Sequence, residues 1–156
     1  MPERLRRLEN SFQRLPIYFV TTCTHERQPI LNNIDIHTHL LEFGEKGGDR
    51  GAWLGAYVLM PDHLHAFVVI DDERLTLSGW VKSLKNTVSK TLRAQSIPSP
   101  HWQKGFFDHI LRSEESYSAK WEYVRENPVR AGLVKDWTAW PFVGEIFDLE
   151  YRSDPA

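Results

Sequence analysis

An apolar stretch in the middle of the sequence, residues 57–70, contains two histidines separated by a single leucine. In an extended strand, neighbouring side chains point to opposite faces, so His63 and His65 should lie together on one face and Leu64 on the other. Two neutral imidazoles on one strand face are the start of a metal site. A pair of hydrogen-bonded structural histidines would give the same pattern, which by itself leaves both interpretations open.

The composition is that of a globular protein with its own core. The chain has 156 residues, of which 41% are hydrophobic and 26% charged, which is enough for one domain. No apolar run approaches the roughly 20 residues that span a bilayer, and the first residues lack the apolar segment of a secretory signal. We therefore expect a cytoplasmic protein with no membrane partner. The single cysteine, Cys23, excludes an intramolecular disulfide and is predicted to be a small buried hydrophobe.

Basic residues are unevenly distributed along the chain. The formal net charge is −2, yet residues 80–135 contain ten Lys and Arg against five Asp and Glu. A local surplus of positive charge is typical of a surface that contacts a phosphate backbone. Solvated helix faces would give the same count, so charge alone does not decide between a nucleic-acid interface and an ordinary surface.

The residue patterns predict alternating strands and helices. β-Branched and aromatic residues indicate strands, and apolar residues at helical spacing indicate helices. The predicted strands are residues 16–24, 52–60, 63–70 and 105–112, and the predicted helices are residues 30–43, 77–93 and 113–127. Ser113 is expected to cap the last helix, which should end before Pro128 because proline has no amide proton. This order predicts an α+β sandwich built on an antiparallel sheet.

Tyr123 and Asn127 are four residues apart in the last predicted helix, so they should share one helix face. If this face packs next to the histidine pair, the phenol and the amide oxygen supply the remaining groups needed for metal-assisted nucleophilic attack on a phosphodiester. His63, His65 and the Asn127 oxygen would hold the metal. Tyr123 would attack phosphorus, although spacing alone favours a core tyrosine. Tyr117, the other phenol of this helix, would point about 120° away from Tyr123.

Three other histidines, His37, His39 and His109, are interpreted differently. His37 and His39 fall in a predicted helix, where their side chains diverge by about 200°, and we expect both to face solvent. His109 could contact a nucleic acid, orient a ligand or satisfy the core. The last of these is slightly favoured.

Three blocks of sequence occur in a specific order and separation. They are MPDHLH at residues 60–65, WQKGFFDHILR at residues 102–112 and YVRENPVRAGLV at residues 123–134. Together they closely resemble the single-tyrosine HUH transposases, most strongly the branch of REP-associated tyrosine transposases. One block would be suggestive, whereas three in register are specific.

The resemblance implies a ferredoxin-like (RRM-like) antiparallel sheet of the HUH endonuclease type, with helices packed on it. It also implies a transposase that cleaves and rejoins single-stranded DNA at hairpin-associated sites through a 5′-phosphotyrosine, with Mg²⁺ or Mn²⁺. Matched by position, His63 and His65 are the HUH pair, Tyr123 is the nucleophile and Asn127 completes the metal ligands. The residues expected to contact DNA are Lys82, Lys85, Trp102, Gln103, Lys104, Arg112 and Arg130.

We accordingly divide the chain into three segments. Residues 1–15 are predicted to be a flexible N-terminal arm, residues 16–135 the transposase domain, and residues 136–156 a C-terminal tail packed on that domain. The sequence is compatible with a monomer or a homodimer.

Two other functions fit parts of the pattern. In a metal-dependent hydrolase, an acid such as Asp62 or Asp108 would join the two histidines around Zn²⁺ and water would attack, with no covalent intermediate. In a non-catalytic module, the sheet face and its aromatic residues would bind single-stranded nucleic acid by stacking.

Overall fold

The computed structural model of the protein describes residues 15–112 and 116–149. Along these residues, strands and helices alternate in the predicted order. The strands are β1 (Ile17–Cys23), β2 (Ala52–Leu59), β3 (His63–Ile70), β4 (Phe107–Ile110) and β5 (Val143–Glu145). The helices are α1 (Ile34–Gly47), α2 (Leu77–Ala94), α3 (Tyr117–Val124) and α4 (Asn127–Arg130). Apart from Leu15, the predicted N-terminal arm lies outside the described residues.

The five described strands form one antiparallel sheet in the order β4-β1-β3-β2-β5. The central strand, β3, pairs with β1 on one side and with β2 on the other. A short turn joins β2 to β3, closed by a hydrogen bond of 2.8 Å from the Met60 amide to the His63 carbonyl. The α+β fold with an antiparallel sheet is therefore confirmed.

Helices α1 and α2 cover one face of the sheet. Apolar residues of α2 recur at helical spacing and pack into the main core, among them Trp80, Leu84 and Val88. The helix begins after Thr76, whose hydroxyl accepts a hydrogen bond from the Gly79 amide at 3.0 Å. Because one face of α2 is apolar, Lys82 and Lys90 lie exposed on its outer side, while Lys85 is half-buried.

Helix α3 covers part of the opposite face. Its residues Tyr117, Trp121 and Val124 pack with Phe67 and Val69 of β3. Side chains alternate along β3, so His63 and His65 lie on this same face, next to Phe67 in the strand. The face that carries the histidines therefore also receives the helix that carries Tyr123.

The structure corrects the first predicted helix. α1 begins at Ile34 rather than near Ile30, because the Asn33 side chain accepts a hydrogen bond from the Ile36 amide at 3.0 Å and caps the helix there. The prediction that His37 faces solvent is wrong, since His37 is buried against the sheet and its Nε2 lies 2.7 Å from the Tyr57 hydroxyl. His39 is exposed as expected.

The last predicted helix is divided into two. Its expected cap, Ser113, lies outside the described residues, and α3 begins after Ser116, whose hydroxyl accepts from the Ala119 amide at 3.2 Å. α3 ends at Val124, and Asn127 begins the separate helix α4. Pro128 lies in the first turn of α4, where a missing amide proton leaves no helical hydrogen bond unmade. Here proline starts a helix, which is why the predicted end at residue 127 is wrong.

Residues beyond the predicted domain contribute to the sheet itself. β5 pairs with β2, and Trp140 is buried with its indole donating to the Leu59 carbonyl at 3.0 Å. Leu149 is fully buried over Gly55, where a Cβ would come within 2.6 Å of the leucine side chain. In the described part of the chain, no helix is long and apolar enough to cross a membrane.

Candidate active site on the histidine face

His63 and His65 lie side by side on the sheet face that also carries Phe19 and Thr21, which we call the histidine face. The centroids of the two imidazole rings are 4.7 Å apart. In the pairing of β1 with β3, Thr21 lies opposite His65 and Cys23 lies opposite His63. The phenyl ring of Phe19 stacks on His65 with centroids 5.2 Å apart, so the ring of His65 is held from one side.

Both imidazoles are oriented through their Nδ1 atoms. Nδ1 of His63 lies 2.7 Å from Oδ1 of Asp62, and Nδ1 of His65 lies 2.7 Å from the Thr21 hydroxyl. A carboxylate accepts hydrogen bonds only, so Nδ1 of His63 carries the proton and its Nε2 keeps a free lone pair. Among the described residues, neither Nε2 has a hydrogen-bond partner. The arrangement therefore presents two imidazole nitrogens as available ligands.

Arg27 fixes the carboxylate that orients His63. Its Nε donates to Oδ2 of Asp62 at 2.9 Å, while Oδ1 of the same carboxylate contacts His63. Partial burial alone would raise the pKa of Asp62, but the hydrogen bonds from Arg27 and His63 outweigh it and lower that pKa. Arg27 is placed by a turn in which Glu26 and Arg27 adopt φ of 53° and 55°. Left-handed backbone at two successive residues with side chains is uncommon and is often found at functional sites.

His65 is kept neutral by its surroundings. Burial lowers its pKa to about 3, and the nearby positive charges of Arg130 and Arg27 and a charged His63 act in the same direction. An imidazole must be neutral to bind a metal, so His65 is in the binding-competent form at ordinary pH.

This pKa shift predicts a loss of stability in acid. An unfolded histidine titrates near pH 6.5, so between pH 6.5 and 3 the unfolded chain binds a proton at His65 that the folded chain excludes. The stability from neutral His65 is therefore complete above pH 6.5 and is lost as pH falls. We expect the free energy of unfolding of the metal-free protein to be about 2 kcal/mol lower at pH 5 than at pH 7.5 from this group, measured by urea denaturation. His65→Gln should make the free energy of unfolding less dependent on pH. Equal urea midpoints of the unsubstituted protein at the two pH values would contradict the prediction.

Tyr123 and Asn127 belong to different helices, and Arg130 connects them. The Arg130 guanidinium lies 4.1 Å from the centroid of the Tyr123 ring and donates to the Tyr123 carbonyl at 2.8 Å and to Oδ1 of Asn127 at 2.6 Å. The predicted one-face arrangement on a single helix is wrong. The contacts of Arg130 nevertheless bring both residues together, and the positive charge of Arg130 contributes to lowering the pKa of His65.

The two candidate phenols differ sharply in accessibility. Tyr117 is 2% exposed, and its hydroxyl accepts from the Ala56 amide at 2.8 Å and donates to Oε2 of Glu145 at 2.6 Å. Burial and the contact with Glu145 raise the pKa of Tyr117, so its hydroxyl is a poor nucleophile. Tyr123 is 66% exposed. Of these two residues, Tyr123 is the phenol that a substrate can reach.

Two of the residues predicted to contact DNA, Lys85 and Trp102, are half-buried and make hydrogen bonds within the protein. Lys85 donates to the carbonyls of Gln103 and Gly105 at 3.1 and 2.6 Å, and partial burial lowers its pKa. Trp102 packs against the main core, and its indole donates to Oγ of Ser89 at 3.1 Å. Both residues anchor the loop that leads into β4. The other five are exposed: Lys82, Gln103, Lys104, Arg112 and Arg130. DNA contact by all seven residues stays a prediction.

Sequence reasoning missed Thr21 and Arg27 as partners of the site. Both lie about 40 residues from the histidines along the chain, and only the pairing of β1 with β3 brings them close. The sequence suggested Asp62 only as a metal ligand in a hydrolase. In the structure, both carboxylate oxygens of Asp62 are engaged by Arg27 and His63. The other suggested acid, Asp108, pairs with Val20 and therefore lies on the face opposite the histidines. Within the described residues, no group of three His, Cys, Asp or Glu side chains is arranged to hold a metal ion.

Comparisons with known proteins identify the family of the chain. The model of the IS200-like transposases matches residues 13–127 of the chain. A REP-associated tyrosine transposase of Escherichia coli K12 is 28% identical over 94 residues, which cover 60% of this chain and 54%, about half, of that relative. An uncharacterised protein of Haemophilus influenzae is 22% identical over 145 residues, covering 72% of this chain and 79% of that protein.

A solved structure has the same fold. It is that of a REP-associated tyrosine transposase bound to a REP hairpin, and it matches with a TM-score of 0.66 and 25% identity over 82% of this chain and 75% of the other. The family match covers well over half of the chain, and the residues it spans include the histidine pair, Tyr123 and Asn127. The chain therefore belongs to the IS200-like transposase family, and the resemblance predicted from its three sequence blocks is confirmed.

Proposed function

We propose that this protein cleaves and rejoins single-stranded DNA beside hairpins, with Tyr123 as the nucleophile and a divalent metal held by His63, His65 and Asn127. The observation that carries the proposal is the pair of imidazoles whose Nδ1 atoms are bound and whose Nε2 atoms are left available on one sheet face. Both free nitrogens belong to neighbouring rings whose centroids are 4.7 Å apart, so one cation could contact both. Arg130 supports the proposal further, because it joins the accessible phenol to the amide oxygen of the third ligand.

The donor set fits a divalent cation. Two neutral imidazoles and one amide oxygen suit Mn²⁺ well and Mg²⁺ less well, since Mg²⁺ prefers oxygen ligands. Oδ1 of Asn127 accepts from Arg130 at 2.6 Å, but a carbonyl oxygen has a second lone pair for another partner. When bound, the cation would neutralise charge on the phosphate that is attacked.

In the proposed cleavage, Tyr123 attacks the phosphate and Arg130 positions the Tyr123 ring. The Tyr123 oxygen forms a bond to phosphorus while the bond between phosphorus and the 3′ oxygen of the preceding nucleotide breaks. The phenol proton leaves to water, and the departing 3′ oxygen takes up a proton, so the products are a 5′-phosphotyrosine and a free 3′-hydroxyl. Arg130 holds the Tyr123 ring and offers positive charge beside it. One phosphate ester replaces another, so rejoining by the reverse attack needs no nucleotide cofactor.

The solved relative bound to a REP hairpin suggests the form of the substrate. We propose a single strand that contains a short hairpin, with exposed cationic residues such as Lys104 and Arg112 contacting its phosphates. Because phosphate contacts release counterions, binding should weaken steeply with salt.

One assay tests the proposal. The protein is incubated with Mn²⁺ and single-stranded hairpin DNA that is labelled at its 3′ end and carries flanking sequence from its own genomic neighbourhood, and the products are separated on a denaturing gel. We expect labelled DNA to migrate with the protein as a protease-sensitive adduct. Cleavage without an adduct would indicate the metal-dependent hydrolase instead. Binding without cleavage would indicate the non-catalytic module.

The Asp62 contact predicts a defect in metal binding. Removing the carboxylate in Asp62→Ala frees the His63 ring to rotate and to change tautomer. We expect the affinity for Mn²⁺, measured by titration calorimetry, to fall about 10- to 100-fold. Arg27→Gln should give a smaller loss, because it loosens Asp62 without removing it. Asp108→Ala is the matched control, since this exposed carboxylate lies on the other sheet face. Equal affinities in Asp62→Ala and Asp108→Ala would contradict the assignment.

A further inference from the structure

Phe107 is a large aromatic side chain left in solvent on the histidine face. It is 71% exposed, although its neighbour Phe106 packs against the main core. In the pairing of β4 with β1, Phe107 lies opposite Thr21, and Thr21 lies opposite His65 in the pairing of β1 with β3. Paired residues of antiparallel strands share a face, so Phe107, Thr21 and His65 form one row across the sheet.

The position of this row relates Phe107 to the proposed chemistry. Neighbouring strands lie about 4.8 Å apart, so Phe107 is roughly 10 Å from His65. Thr21 is the residue between them, and its side chain is short. A strand of DNA that places a phosphate at the histidine pair can therefore extend over Thr21 and bring a nearby base to the phenyl ring.

The residues near Phe107 in sequence are complementary in charge to a DNA strand. Lys104, in the loop that precedes β4, and Arg112, just after it, are exposed cationic residues on either side of the strand. The loop itself is held in place, because Lys85 donates to the carbonyls of Gln103 and Gly105. An exposed aromatic ring with cationic residues before and after it is the combination that single-strand-binding proteins use to stack bases and contact phosphates.

We propose that Phe107 is a base-stacking site for a nucleotide of the single strand close to the cleaved phosphate. The inference rests on the proposed function, since it takes the path of the DNA from the histidine pair. The group that stacks on Phe107 is a nucleobase. Because every nucleobase has an aromatic face, this stacking contributes affinity without selecting one base.

The test compares two probes of equal charge. They are a short oligothymidylate and an abasic chain of the same length and backbone, each labelled with fluorescein, and binding is followed by anisotropy at one fixed salt concentration. Tyr123→Phe is present in all proteins so that no strand is cut. We expect Phe107→Ala to weaken binding of the oligothymidylate about 5- to 150-fold and to leave binding of the abasic chain unchanged. Phe107→Trp should restore the preference for the probe that has bases.

Ile110→Ala is the matched control. Ile110 is 48% exposed on the same strand but pairs with Tyr18, so it lies on the opposite face, and its removal should change neither affinity. Both substitutions are at exposed positions, and unchanged melting temperatures will show that the proteins are folded. The inference is overturned if Phe107→Ala weakens both probes equally, if it weakens neither, or if the starting protein binds the two probes alike.

Two further outcomes distinguish a failure of the stacking site from a failure of the proposed cleavage. If the starting protein forms the covalent adduct with hairpin DNA but Phe107→Ala leaves its preference for bases unchanged, only the stacking site fails. If no adduct forms and Phe107→Ala removes that preference, base stacking at Phe107 stands, while the proposed cleavage and the placement of the stacked base beside a cleaved phosphate fail. A change from dimer to monomer in Phe107→Ala, with DNA affinity unchanged, would make Phe107 a contact between copies of the chain and would also overturn the inference.

Discussion

Tyr123→Phe protein is expected to form no covalent adduct with hairpin DNA and to cleave it more than about 10³-fold more slowly than the wild type. The substitution removes only the hydroxyl oxygen that would attack phosphorus. The phenyl ring remains, so the contact with Arg130 at 4.1 Å is kept and the fold around α3 and α4 should be unchanged. Adduct yield is measured on a denaturing gel, and DNA affinity, measured separately by anisotropy, should stay within about twofold.

Tyr117→Phe is the matched control for this experiment. Tyr117 is on the same helix, but its hydroxyl is buried between the Ala56 amide and Glu145. Its removal should lower the free energy of unfolding by about 1–3 kcal/mol, because buried polar groups lose their partner, and should leave adduct formation intact below the melting temperature. Adduct formation by Tyr123→Phe at the wild-type level, or its loss in folded Tyr117→Phe, would contradict the choice of nucleophile.

His63→Gln and His65→Gln are each expected to weaken Mn²⁺ binding more than about 100-fold and to reduce cleavage correspondingly. Each substitution replaces one of two imidazole ligands with an amide oxygen on a longer, more flexible side chain, which is a weaker and less well placed ligand for Mn²⁺. Mn²⁺ binding is measured by electron paramagnetic resonance, which reports the free ion without any DNA or turnover. A loss of metal binding is therefore separated from a loss of catalysis.

His39→Gln is the matched control for the histidine pair. His37 and His39 repeat the spacing of His63 and His65, but they lie on α1 at the other face of the sheet, with His39 close to the Thr91 hydroxyl. His39→Gln should bind Mn²⁺ as the wild type does. Unchanged Mn²⁺ affinity in both His63→Gln and His65→Gln would leave the proposed metal site without support. Circular dichroism melts are needed for His65→Gln, because this residue also stacks on Phe19.

Much of the fold followed from local pattern. β3 was predicted with its observed bounds, and the prediction for α2 differs from the observed helix by one residue, since both have strong apolar periodicity and clear ends. α1 and the helix after β4 were predicted less well. Their boundaries depend on caps supplied by Asn33 and Ser116 and on the position of Pro128 in a first turn, and local propensity resolves such features poorly.

The sequence alone determined the family and the antiparallel α+β architecture, because the three ordered sequence blocks are properties of the chain itself. It also determined that the two histidines share a face, because side chains alternate along a strand with a period of two residues. Tertiary structure alone decided how the site is held. Thr21 and Arg27 reach the histidines only through strand pairing, and Arg130 joins Tyr123 to Asn127 only because the chain turns between α3 and α4. It also decided that Tyr117 is buried and Tyr123 exposed. Such contacts join residues far apart in the sequence or across a break in a helix, and their geometry is set by packing that no local pattern encodes.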